Sequence, residues 1–219
     1  MAIRKISIGI AIVVVVAGGL LAGAWFTLGG GKPSGSSSQP NDTATKAKNE
    51  TPPPDPTKHS YFEISFAKQM IIYNQQAVDL ANIVQHGGSD KEVQDLAGEV
   101  IAAHGKAADQ YATWLREWNE TYLSLSDFPR SDDHDGYPTN PGMPRVVELD
   151  KMAAMSAAEK EKEFLRLILK LHEGVLEHIN TTGDNIQYGE MKDYLATDKA
   201  HYSQEVKSIK DLRHARGQH

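Results

Sequence analysis

The chain of 219 residues contains no cysteine. That excludes disulfides, thiolate metal sites, a cysteine nucleophile and a lipid-modified cysteine anchor. It does not name the compartment, because a chain without cysteine suits either redox poise. Aromatic residues are sparse at 7%, and 23 basic residues face 29 acidic ones. The net charge of −6 becomes −8 once Arg4 and Lys5, which precede an apolar segment, are set aside. An acidic domain repels phosphate backbones, so nucleic acid is a poor partner. Proline is absent from residues 58–128 and 145–219: six of the ten lie before residue 57 and four between Pro129 and Pro144. Proline breaks helices, so both blocks suit long helices.

What is present begins with a membrane signal. After Arg4 and Lys5 the chain carries no charge from Ile6 to Leu28. About 20 apolar residues cross a bilayer as a helix. By the positive-inside rule, residues 1–5 stay cytoplasmic and everything beyond residue 28 is exported. A cleaved signal peptide is the rival reading, since Ala22-Gly23-Ala24 resembles a cleavage site. Both readings put the rest of the chain outside the cytoplasm. Residues 29–57 are rich in Gly, Ser, Thr, Lys and Pro and read as a disordered tether.

Residues 58–215 read as an all-α domain with an irregular crossover at 127–144, followed by a short tail at 216–219. Ser60-Tyr61-Phe62-Glu63, Ser89-Asp90-Lys91-Glu92 and Ser156-Ala157-Ala158-Glu159 are capping-box patterns. The first opens a stripe of Phe62, Phe66, Met70, Tyr73, Ala77, Leu80 and Val84, stopped by Gly87-Gly88. The second opens Val93, Leu96, Val100, His104, Ala108, Tyr111, Leu115 and Trp118. The third opens Phe164, Ile168, Leu171, Val175 and Ile179, and a last helix is expected from about Ile186 to Arg213. A shift of 98 residues places Phe66 on Phe164, Met70 on Ile168, Asn74 on His172 and His104 on Tyr202. Two similar hairpins joined by a crossover predict a four-helix bundle.

The run from Phe66 to Ala81 resembles the first signature of the family called domain of unknown function three-oh-five. Leu96-Ala97, Trp114-Leu115 and Trp118 resemble its continuation, Gly142-Met143 its inter-repeat segment, and Phe164 through Gly174 its second signature. The resemblance implies a ferritin-like bundle of two related hairpins. It also implies metal binding, copper in particular, through His and Met residues. The family's histidine pair corresponds here to Tyr73-Asn74 and to Leu171-His172. Its later Gln and Glu correspond to His104 and Ala107, and the Met of its Met-Ala step to Leu80 and His178. The resemblance thus supports the fold and weakens the inherited metal site.

Polar residues interrupt the apolar stripes near the middle of each helix: Asn74, His104, His172, and the Asp198/His201 pair. Asp198 and His201 lie three apart, on one helical face. Three imidazoles and a carboxylate at one level suit Zn, Cu or Fe. The same residues equally describe a hydrogen-bonded polar layer that binds nothing, the commoner arrangement. A di-iron centre is disfavoured because no Glu-x-x-His occurs in the helices. The scattered methionines read as core filling. His178, beside Ile179, is expected at an edge or the surface. Ser131 to Gly136 resembles half of a calcium loop without its closing Glu. Tyr111, Trp114 and Trp118 form an aromatic stripe.

No phosphate-cradling loop, nucleophile elbow or triad is recognisable, so a non-enzyme without a cofactor is expected. The leading expectation is an extracytoplasmic interaction module of the bacterial cell envelope. It would be anchored by Ile6 to Leu28 and would serve as an accessory or assembly subunit of an integral-membrane complex, a respiratory assembly being one candidate. The alternative is an extracytoplasmic protein binding copper or another transition metal through mid-bundle histidines.

Overall fold

The computed structural model describes residues 55, 57–128, 138 and 140–218. The expected anchor at residues 6–28, nearly all of the tether and the half calcium loop lie outside the described residues. Among the described residues no strand occurs, and no helix is long and apolar enough to cross a membrane.

Among the described residues five α-helices follow one another: α1 (Tyr61–Gly87), α2 (Lys91–Glu117), α3 (Val146–Ala153), α4 (Ala157–Thr182) and α5 (Gly189–Ala215). Four are long, with 26 or 27 residues each. Short 3-10 turns sit at Leu125–Asp127 and Gly183–Asn185. The eight-residue α3, inside a proline-free block, was not separately expected; its N-cap Arg145 follows Pro144, with Glu148 capping the Arg145 amide at 3.0 Å.

The caps explain where the helices start. Ser60 opens α1 in a reciprocal pair with Glu63, its amide donating to Glu63 Oε2 at 2.8 Å. Asp90, not Ser89, caps α2: its Oδ1 accepts from the amides of Glu92 and Val93 at 2.9 and 3.2 Å. Ser89 is diverted, because its amide and hydroxyl both donate to Glu161 of α4. Glu161 Oε1 also accepts from the Asp90 amide at 2.6 Å. At the other end, buried Glu63 accepts from the amides of Gln187 and Tyr188 at 2.6 and 3.2 Å. Those two amides hold the α4–α5 connection against α1. The last helix therefore begins at Gly189 rather than near Ile186, which is buried in the connection instead.

Helix α1 packs against α2 and α4, and α4 against α5 and α3. The core between them holds Phe66, Met70, Leu80, Val100, Leu115, Phe164, Ile168, Val175, Met191 and Ile209. Burying each such side chain contributes about 1.5–3 kcal/mol. Between α2 and α5 the backbones do not approach closely, and long side chains bridge the seam.

Two positions depart from the expected stripes. Phe62 stands on the open rim of the first turn and is 57% exposed. His178 is buried: its ring stacks on Phe66 with centroids 5.1 Å apart, because this face of α4 turns toward α1. The described end of the crossover, at Pro141 and Gly142, docks on the middle of α4. A Cβ on Gly174 would stand 2.1 Å from the Pro141 carbonyl oxygen, and Gly142 adopts φ +80° there. Tyr73 donates its hydroxyl to the same carbonyl at 3.1 Å.

Candidate metal centre

The mid-helix polar residues converge at one level. Asn74 of α1 donates through Nδ2 to the Met70 carbonyl at 2.7 Å, one turn back. That bond turns Oδ1 into the bundle. There it accepts from the Tyr202 hydroxyl at 3.0 Å and faces His104 Nδ1 at 2.8 Å. An amide oxygen only accepts, so His104 Nδ1 carries the hydrogen. The other ring nitrogen, Nε2, faces Glu205 Oε2 at 3.0 Å. That nitrogen and the carboxylate oxygen therefore converge on one point inside the bundle.

Glu205 of α5 is the hub. His104 Nε2 lies 3.0 Å from Oε2, His172 Nδ1 3.5 Å from Oε2, and His201 Nε2 3.1 Å from Oε1. His104, His201 and Glu205 each offer a ligand atom within 4.8 Å of the others. Burial alone would raise the Glu205 pKa. The hydrogen bonds from His104 and His201 outweigh it and hold the carboxyl well below the usual carboxylate range. In return, the bond to Glu205 raises His201 above 6.5.

His172 of α4 is fully buried, and neither ring nitrogen has a hydrogen-bond partner. Burial pushes its pKa down from 6.5 to about 3, so the ring is a neutral imidazole with a free lone pair. A buried polar group without a partner costs about 1–3 kcal/mol.

Of the five expected site residues, His104, His172 and His201 gather around one carboxylate, and Asn74 orients His104 from behind. Asp198 does not join them. It accepts from the Tyr111 hydroxyl at 2.9 Å, and burial raises its pKa above 3.8. The carboxylate of the cluster is Glu205, which the sequence reading missed. Its signal was present: His201 and Glu205 are four apart on a helix, a spacing that brings side chains together.

Fold and cluster together define an all-helical domain with histidines converging on a buried carboxylate. The chain belongs to the family described as Domain of unknown function (DUF305), whose model matches residues 63–213. Among solved structures it is similar to a Streptomyces coelicolor DUF305 protein described as secreted. The two share 23% identity and a TM-score of 0.62, over 71% of this chain and 92% of that one. A DUF305 fragment from Deinococcus radiodurans gives 20% identity and a TM-score of 0.61, over 70% and 95%. No curated protein matches the sequence.

Proposed function

We propose that this chain is a membrane-tethered, extracytoplasmic metal-binding protein, built as a ferritin-like four-helix bundle of two related hairpins. It holds one divalent transition-metal ion at His104, His201 and Glu205, with His172 completing the set and Asn74 fixing the His104 ring. The observation that carries this reading is His172, a neutral, fully buried imidazole with no partner, 3.5 Å from a carboxylate that already faces two other imidazoles.

The donor chemistry fits such an ion. Ligand atoms of His104, His201 and Glu205 lie within 4.8 Å of one another, a spread that small side-chain shifts close onto one ion with ligand bonds of about 2 Å. Nitrogen and oxygen donors suit Zn(II), Cu(II) or Ni(II). The charge-free run behind Arg4 and Lys5 supports the tether, and the secreted Streptomyces relative supports an extracytoplasmic place. The test is metal analysis and calorimetric titration of the full chain with Zn(II), Cu(II) and Ni(II). One ion per chain is expected, with affinity lost in Glu205→Gln. A chain that binds no stoichiometric ion ends this reading.

A second reading, an interaction module docking on an integral-membrane assembly, is favoured by one observation. Tyr61, Phe62 and Leu123 are 57–77% exposed. Aromatic side chains of this kind anchor protein interfaces. Affinity capture from gently solubilised membranes is its test; recovery of the chain alone, unaffected by Tyr61→Ser and Phe62→Ser, dismisses it.

A further inference from the structure

The metal-binding reading leaves open whether the ion is a permanent strut or a cargo. Resting on that reading, we propose that the cluster is an exchange site, which takes up and releases its divalent ion through His201 without unfolding.

Three observations carry this. First, most of the donors hold one another in place without an ion. Asn74 Oδ1 faces His104 at 2.8 Å, and Glu205 is bonded to His104 at 3.0 Å and to His201 at 3.1 Å. Structural metal sites behave otherwise: the metal-free chain fails to fold because nothing else orders the ligands. Here an apolar core and a capped, cross-connected set of helices do so. Second, the ligands differ in access. The His104 and His172 side chains are 1% and 0% exposed, whereas that of His201 is 44% exposed. A closed structural site leaves its ion no open coordination position; here one ligand, His201, stands partly in water and gives an ion a way in. Third, the cluster lies in the seam between α2 and α5, where side chains rather than close backbones form the wall. Side chains swing on much shorter timescales than packed helices part.

The order of events follows from these positions. An incoming ion meets His201 Nε2 and Glu205 Oε1, four residues apart on α5. It then passes inward to lie between Glu205 and His104 Nε2. Any hydrogen on that nitrogen leaves to solvent as the ion bonds, and the free lone pair of His172 closes the set. Release runs the same path backward, with His201 the last ligand to let go.

The experiment uses the full chain in detergent micelles with Co(II), whose visible absorption reports nitrogen and oxygen ligation. Circular dichroism of the metal-free and loaded chains should coincide. Release into excess chelator, followed by stopped flow, should be far faster than global unfolding. His201→Gln should still bind Co(II) and release it about 10–100-fold faster, on the order of the affinity lost when the support of a metal ligand is removed. His201→Ala repeats the measurement should the glutamine variant fold poorly. Release at the rate of global unfolding, or equal release rates for wild type and both variants, overturns the exchange proposal while leaving metal binding intact. A wild-type chain that never takes up Co(II) overturns the metal-binding reading and this proposal with it.

Discussion

Glu63 and Glu161 stand 98 residues apart and make the same contact at opposite ends of the bundle. Glu63, in the first turn of α1, accepts the amides of Gln187 and Tyr188; Glu161, in the second turn of α4, accepts those of Ser89 and Asp90. The donating amides are themselves 98 residues apart, and so are α2 and α5, helices of equal length. Each hairpin thus pins the turn of the other.

Removing one charge should loosen one pin. Glu63→Gln and Glu161→Gln are each expected to cost about 1.5–3 kcal/mol, as for hydrogen bonds to a charged group. The sites are at opposite ends and share no partner, so the double variant should show the sum within about 0.5 kcal/mol. Urea unfolding monitored by tryptophan fluorescence measures all three. A double variant no worse than either single would show the pins to be coupled.

The docking of the crossover predicts a steric effect. Gly174→Ala places a methyl group against the Pro141 carbonyl, a backbone atom that cannot rotate away. A loss of about 1–3 kcal/mol is expected from the forced backbone shift. Tyr73→Phe, which removes only the hydroxyl bonded to that carbonyl, should cost about 0.5–1.5 kcal/mol. Thermal unfolding checks the ranking.

His172→Leu should separate stability from binding. It removes an unpartnered buried imidazole, so the metal-free chain should gain about 1–3 kcal/mol while losing its ion. It should also change the acid limb. The native His172 pKa of about 3 lies below its unfolded value of 6.5, so the unfolded chain binds the extra proton in that window. Stability therefore falls as pH drops from 6.5 toward 3, and His172→Leu should flatten that fall. Denaturant titrations from pH 4 to 7 test both effects; an unchanged slope counts against a buried, neutral His172.

Asp198→Asn should act with the opposite sign. Burial raises the Asp198 pKa above 3.8, so the native chain holds its proton more tightly than the unfolded one. This contribution favours folding in acid and is lost as pH rises through the native pKa. Asparagine keeps an acceptor for Tyr111 and carries no charge. The variant is expected to be more stable than wild type at pH 7, with the gain vanishing below pH 3.8. Equal stability at pH 7 would mean that the Tyr111 bond fully offsets the burial of charge.

Much of the fold was legible because local signals agreed with tertiary ones. Ser60 and Ser156 do stand at helix starts, and Gly87-Gly88 does end α1. The mid-helix histidines were legible as polar breaks in apolar stripes. Partner choice was not. Asp198 and Glu205 are both near His201 in sequence, and only the packing of α2 decides that Tyr111 takes one and His104 the other. Ser89 fits a capping box as well as Ser60 does, but a carboxylate 72 residues away claims it. Glu63 looked like an ordinary capping glutamate, and its second oxygen has a long-range task that no local pattern reveals.

The equivalent positions at the centre carry unlike residues: Asn74 against His172, His104 against Tyr202, Ala107 against Glu205. Two identical hairpins assembled as a dimer would have to present every donor twice, giving an even number of ligands of each kind. Joining the halves in one chain lifts that arithmetic. One half can supply the acid and the other the orienting amide, so an odd, lopsided ligand set becomes possible at what would otherwise be a symmetry axis.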